Sequence, residues 1–251
     1  VRPPGVLARV QPIDGISLLD RLDYDRKLEK DEYKDKLAKL QGRLNRLTRS
    51  PKFEKISVVA VFEGCDAGGK GGAIRRVTQA LDARKYDVIP IAAPNDEEKA
   101  RPYLWRFWRH IPERGRIAVF DRSWYGRVLV ERIEGYCAPA DWLRAYSEIN
   151  DFEAQLVKNR TVVVKFWLQT TKAEQLRRFE ERKATPHKRH KITDEDWRNR
   201  EKWDDYSVAV CEMIDRTSSE AAPWTLIEAN DKYFARIKVI QTLIDAIDQA
   251  L

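Results

Sequence analysis

The sequence predicts an α/β fold in which a parallel β-sheet is flanked by helices. Three observations carry this. Five short apolar, β-branched runs recur along the chain: Ile56–Phe62, Val88–Ile91, Arg116–Phe120, Thr161–Leu168 and Trp224–Glu228. Stretches with helical character separate them, and strands alternating with helices favour parallel pairing with helices on the faces. The chain has 251 residues, 43% of them apolar, enough to enclose a sizeable core.

The elements follow in order. Residues 1–16 carry three prolines and little periodicity, and read as an arm or linker. From Asp31 to Leu47 the apolar residues Tyr33, Leu37, Leu40, Leu44 and Leu47 recur every three or four positions, one stripe on a charged helix that packs on the domain or on a neighbouring subunit. Residues 1–50 thus form an N-terminal arm and helix, and residues 51–251 the main domain. After the first strand comes a glycine-rich loop from Gly64 to Gly72, then a helix over about Ala73–Leu81. The second strand is followed by an aromatic-rich helix over Glu97–His110. The third strand ends on Asp121, a helix covers 140–157, and a basic helical segment follows the fourth strand from Lys172. Trp197, Trp203 and Tyr206 read as packing residues beyond it. A helix from Ala235 to Leu251 closes the chain. No internal repeat is visible.

The net charge of +7, with 35% charged residues, points to an anionic partner. A nucleic acid is disfavoured because no basic stripe carries interleaved exposed aromatics. Cys65, Cys137 and Cys211 are far apart and form no CxxC pair, which argues against a disulfide framework or structural zinc and fits a reducing compartment. No apolar stretch approaches the roughly 20 residues of a membrane helix, and Val1–Asp14 has no signal-peptide core. A cytoplasmic protein without a membrane partner is expected. The chain starts without Met, and its only methionine is Met213, so a piece of a longer protein is also expected.

The stretch GCDAGGKGG, residues 64–72, fits G-x-x-x-x-G-K and lies between a strand and a helix, as a phosphate loop requires. Gly64, Ala67, Gly68, Gly69, Gly71 and Gly72 let backbone N–H groups converge on phosphate oxygens, and Lys70 adds a full charge. The position after the lysine is Gly71, where the general motif has a hydroxyl that helps hold magnesium. Asp66, a carboxylate inside a phosphate loop, is the candidate replacement, because it would repel phosphate without a cation between them.

Asp121 ends an apolar strand, where an acid of this fold class holds magnesium. Arg122 follows at once and is placed to meet charge in a transferring phosphoryl group. Further on, RRFEERKATPHKRHK, residues 177–191, sets Arg178 and Arg182 one helical turn apart and continues through Lys188 without an acid between Arg182 and Thr193. A basic lid over about 172–205, closing on an anionic substrate, is the reading taken.

Together these residues resemble the polyphosphate kinase 2 family. GCDAGGKGG resembles its variant phosphate loop, FDRSWYGR (120–127) its second motif, RRFEERKATPHKRHK with EKWDDY (201–206) its lid, and APWTLIEANDKYFARIKVI (222–240) its C-terminal segment. The likeness covers roughly residues 30–251, and departs at Thr185, where many members have Asp, and at His190, where many have Trp. It implies a thymidylate-kinase-like P-loop kinase fold with a helical lid, magnesium as cofactor, and phosphoryl transfer between inorganic polyphosphate and adenine nucleotides. The segments at 88–112 and 124–136 look most like the monophosphate-using type, which converts AMP to ADP, and some members of that type contain two fused copies of the domain. The implied site has Asp66, Lys70, Asp121, Arg122, Arg178 and Arg182 as catalytic residues and Asp66 and Asp121 as metal ligands. Lys188 joins the phosphate loop in holding the chain of phosphates. By analogy with monophosphate kinases, the nucleotide faces the 93–109 segment, with Asn95, Arg106, Arg109 and Arg127 as its contacts. A homo-oligomer is expected. Two other readings remain: an ATP-dependent nucleotide or nucleoside kinase, which leaves the basic lid without a task, and a nucleic-acid-binding P-loop protein.

Overall fold

The computed structural model describes residues 17–251, apart from the side chains of Lys188, His190 and Lys191. The expected arm at 1–16 and the role given to Lys188 lie outside the described residues.

The β-branched runs become strands β1 (Ser57–Gly64), β2 (Tyr86–Pro90), β3 (Ile117–Asp121), β4 (Thr161–Gln169) and β5 (Trp224–Glu228). They form one five-stranded sheet in the order β2-β3-β1-β4-β5, every neighbouring pair parallel. β1 lies at the centre and is buried from Val58 to Phe62. Both of its faces are covered, which is why it reads as an unbroken apolar run.

The helices are α1 (Lys30–Thr48), α2 (Lys70–Thr78), α3 (Asp96–Lys99), α4 (Trp105–Trp108), α5 (Val130–Ile133), α6 (Pro139–Lys158), α7 (Lys172–Ala184), α8 (Asp194–Glu201), α9 (Trp203–Thr217) and α10 (Lys232–Ala250). On one face α1, α2 and α10 pack around Leu44, Ile74, Val77, Val239 and Leu243. The apolar stripe of α1 is thus spent on this domain, with Tyr33 stacked on Tyr233 at 4.3 Å. The other face holds α6 and α9 around Trp124, Ile149, Phe152, Val210 and Met213.

Three elements differ from expectation. The helix expected over Glu97–His110 is two short helices, α3 and α4, because Pro102 cannot continue a helix and biases Arg101 away from helical geometry. α2 begins at Lys70, so the last glycines of the loop form its first turn. α9 had no counterpart in the sequence reading. Among the described residues no helix is long and apolar enough to cross a membrane.

Candidate active site

The loops after β1 and β3 emerge side by side at the carboxyl edge of the sheet, where open α/β folds bind ligands. The first is the phosphate loop. At Gly64 a Cβ would fall 2.5 Å from the Leu168 carbonyl oxygen, so only glycine allows β1 and β4 to approach this closely. Ala67 at φ 58° and Gly69 at φ 104° are left-handed. Gly68 N–H closes the turn on Cys65 O at 2.9 Å. Left-handed residues at two of three successive positions turn N–H groups inward, as an anion nest requires. α2 then adds the free N–H groups and positive end of its first turn. Lys70 Nζ donates to Gly64 O at 2.7 Å and so folds back over the loop it follows.

The second loop begins at Asp121, which is paired with Phe62 across the ladder. Arg122 is left-handed at φ 65°, and its N–H donates to Phe62 O at 3.1 Å. That turn sends its side chain away from the sheet into a cavity of about 110 Å³, which Glu63, Asp66, Lys70, Asn199 and Tyr206 also line. Neither the Arg122 guanidinium nor the Asp121 carboxylate has a hydrogen-bond or ion-pair partner among the described residues. Asn199 Nδ2 donates to Asp66 Oδ2 at 2.9 Å, and Tyr206 OH donates to Asn199 Oδ1 at 3.3 Å. Burial pushes the Glu63 carboxyl above its ordinary range, against the Ser123 hydrogen bond and the charges of Lys70 and Arg122. Ser123 Oγ donates to Glu63 Oε1 at 2.8 Å and so ties the second loop to β1.

Two buried cations support these loops. Lys165 Nζ donates to Glu153 Oε2 (2.7 Å), Tyr125 OH (2.9 Å) and Thr217 O (2.7 Å). Glu153 Oε1 also accepts from Trp124 Nε1 and Tyr125 OH, which pins the 123–127 turn to α6. Arg178 donates from Nε to Glu174 (2.6 Å), from Nη1 to Ala67 O (2.9 Å), and from Nη2 to Ala229 O (2.6 Å) and Asn230 O (2.8 Å). Sequence reasoning set Arg178 over the transferring phosphoryl. In this structure its guanidinium is buried and faces main-chain carbonyls, so it positions the phosphate loop. Gln175 helps, donating to Asp66 O at 3.2 Å.

Of the expected site residues, Gly64, Asp66, Lys70 and Arg122 share the first cavity. Ala67, Gly68, Gly69, Gly72, Arg178 and Arg182 line a second concavity beside the loop. Gly71, in the first turn of α2, would meet nothing within 4 Å if given a Cβ. The four expected nucleotide contacts line neither. Asn95 caps α3 through Glu98 N–H, Arg106 bonds Ala92 O, and Arg109 pairs with Glu97 over the Trp105 ring. Arg127 pairs with Glu131 over the Tyr103 ring. Trp197 packs on Phe179, as a packing residue should, but Trp203 and Tyr206 wall the first cavity. Glu63 and Asn199 were missed. A lone carboxylate closing an apolar strand was the available signal for Glu63, and Asn199 had none.

The arrangement suits phosphoryl chemistry. Two cations, Lys70 and Arg122, face the same space as Asp66, and the nest of N–H groups lies beside it. Asp66 and Asp121 are hard oxygen donors with lone pairs to spare, and among the described residues no three acidic, His or Cys side chains gather to cage a metal. That donor set fits a cation that keeps most of its waters and shares the rest of its shell with substrate phosphates.

Comparison with known proteins agrees with this chemistry. The family model of polyphosphate kinase 2 matches residues 27–251. A Pseudomonas aeruginosa protein named polyphosphate:AMP phosphotransferase is 63% identical over 249 residues, which are 99% of this chain and 50% of that protein. The chain therefore spans about half the length of that relative. A crystal structure from Pseudomonas aeruginosa PA01, described as polyphosphate kinase 2, superposes with a TM-score of 0.91 at 66% identity, over 93% of this chain and 51% of the other. Polyphosphate kinase 2 from Arthrobacter aurescens TC1 gives 0.88 at 35% identity, over 95% of this chain and 87% of the other. With nine-tenths of its length matched and its phosphate loop and second loop meeting at one cavity, the chain belongs to the polyphosphate kinase 2 family.

Proposed function

We propose that this chain transfers a phosphoryl group from inorganic polyphosphate to AMP, giving ADP, with magnesium as the metal. The observation that carries this reading is the convergence of Lys70, Arg122 and Asp66 on one cavity beside the phosphate loop. The name of the Pseudomonas aeruginosa relative, polyphosphate:AMP phosphotransferase, supports the choice of donor and acceptor.

In the reaction an oxygen of the AMP phosphate attacks the terminal phosphorus of the chain. A new P–O bond forms, the bridging P–O bond breaks, and the chain leaves one phosphate shorter. Little covalent chemistry falls to the protein, so alignment and charge stabilisation do the work. The nest and Lys70 hold the donor phosphates. Arg122, exposed and unpaired, meets the charge that builds on the transferred group. Magnesium, held through Asp66 and Asp121, would supply further neutralisation of phosphate charge. Glu63 and Ser123 keep the two loops in register.

The test is incubation with AMP, ADP, ATP and GMP, each with polyphosphate and magnesium, followed by product chromatography. ADP from AMP is expected. Conversion of ADP to ATP with AMP inert would overturn the choice of acceptor, and activity only with ATP as donor would overturn the donor. Asp66→Asn and Asp121→Asn should each lower turnover at least about a hundredfold, the size of charge-stabilisation effects in such sites.

A further inference from the structure

The second concavity, of about 270 Å³, borders the same phosphate loop and shares no lining residue with the first. The first takes Gly64, Cys65, Asp66 and Lys70 from the loop, whereas the second takes Ala67, Gly68, Gly69 and Gly72. Opposite these lie Lys232 and Arg236, one turn apart on the first turns of α10 and so on one face of it.

Neither has an acid partner among the described residues. The contrast with their neighbours is sharp. Lys238, on the same helix, pairs with Glu228 at 2.6 Å, and Arg177 and Arg178 both pair with Glu174. Glu181, the one acid lining the concavity among the described residues, lies 3.6 Å from Arg177. The Arg236 guanidinium rests against α2, so that a Cβ at Gly72 would stand 3.2 Å from its Nη2. Burial and then the charge of Arg178 lower the pKa of Lys232. Glu181 and Glu174 offset this positive charge only in part, so cations outweigh acids beside the anion nest, an arrangement that an incoming polyanion relieves. Among the described residues no aromatic side chain lines this concavity, so they offer a nucleobase nothing to stack on.

We propose that Lys232 and Arg236 anchor the non-reacting phosphates of the polyphosphate chain. The chain runs from the nest past Gly69 and Gly72 and out over the N-terminal turns of α10. The first cavity, with its aromatic walls, is left to the nucleotide. This rests on the proposed polyphosphate donor and adds a route that passes Arg182 and leaves by α10.

The experiment measures equilibrium binding of a long polyphosphate and of tripolyphosphate, and steady-state transfer to AMP, across a salt series. It compares the wild type, the Lys232→Gln/Arg236→Gln double variant, and the charge-keeping Lys232→Arg/Arg236→Lys variant. Each lost charge should weaken long-chain binding roughly fivefold, the size of one unit-charge contact near 4 Å in watery surroundings. The double variant should then lose about 25-fold. Its plot of log affinity against log salt should flatten by roughly 1.5, because two fewer counterions are released. Tripolyphosphate should lose clearly less, and the charge-keeping variant should hold long-chain affinity within about threefold. A double variant with wild-type long-chain affinity and salt slope overturns the anchor while leaving the donor assignment standing. A wild type that neither binds polyphosphate nor transfers from it overturns the donor assignment itself.

Discussion

Lys165 on β4 and Arg178 on α7 are both buried cations, at 0% and 2% exposure, and each lies beneath one of the two site loops. Their surroundings differ. Lys165 bonds mostly side chains, Glu153 and Tyr125, and through them fixes the 123–127 turn. Arg178 bonds mostly main-chain carbonyls from two separate segments, at Ala67 and at Ala229 and Asn230, with Glu174 to balance its charge. A compact ammonium suits the closed cage around Glu153, and a planar fork suits carbonyls spread over two segments. The comparison teaches that a buried charge beside an active site can act entirely through the loop it holds.

The largest effect should come from Lys165→Met. It strands the Glu153 carboxylate in the core, and removing one partner of a buried pair costs about 3–5 kcal/mol of unfolding free energy. Adding Glu153→Leu should restore at least half of it, since an apolar pair needs no counter-charge. Urea unfolding of both variants decides this. A loss below about 1 kcal/mol in the single variant would mean that Glu153 does not depend on Lys165.

Arg178→Lys should cost less stability, about 2–3 kcal/mol, because an ammonium at that site leaves some buried carbonyls without donors. Its turnover should fall at least about tenfold, as a displaced phosphate loop misaligns the donor. If turnover stays at the wild-type level while stability drops, Arg178 is a packing residue and does not set the loop.

Glu63 sharpens the comparison because it is buried without a cation bonded to it. Its folded pKa is raised above the ordinary 4.5. Above that ordinary value the unfolded chain has released a proton that the folded chain retains, so stability falls as pH rises through the interval up to the folded pKa. Glu63→Gln removes this slope. Its stability relative to the wild type should therefore improve from about pH 4.5 upward, which thermal unfolding at stepped pH would follow. A relative stability that worsens with pH would mean that Lys70 and Arg122 outweigh burial.

The smallest effect separates the loop's backbone from both supports. Gly71→Ala should stabilise by about 0.5–1 kcal/mol, because Gly71 sits in α2 with open space around its Cα. Destabilisation would show that the first turn of α2 needs glycine for a reason other than room.

All five strands were legible, because each carries a short apolar, β-branched run, buried outright in β1 and reduced to Ile89 in the edge strand β2. Helix ends were less so: Lys70 to Gly72 look like loop until one sees that Gly69 supplies the left-handed turn just before α2. α9 carried a signal in Ala209, Val210, Met213 and Ile214, but its charged first turn, with Asp204 and Asp205, continues the charged segment before it and hides where the helix begins. Lys70, Asp66 and Arg122 were legible because a strand–glycine–lysine–helix order leaves few places for them to go. Lys165 was not, since its partners Glu153 and Thr217 come from elements that only the fold brings together. Arg178 was found by its charge and given the wrong neighbours, because main-chain carbonyls leave no mark in a sequence.

The bond from Lys70 to Gly64 O reaches beyond geometry, to when the freedom of the side chain is lost. A lysine that waits in solvent gives up roughly 1.5–2 kcal/mol of rotamer entropy when it is first held still. Here that loss falls on folding, before any phosphate arrives. The ammonium has three donors, so it keeps Gly64 with one and still offers two. At about 1.4 kcal/mol per decade, a phosphate meeting this lysine is held more than tenfold tighter than one that must first immobilise a free chain end.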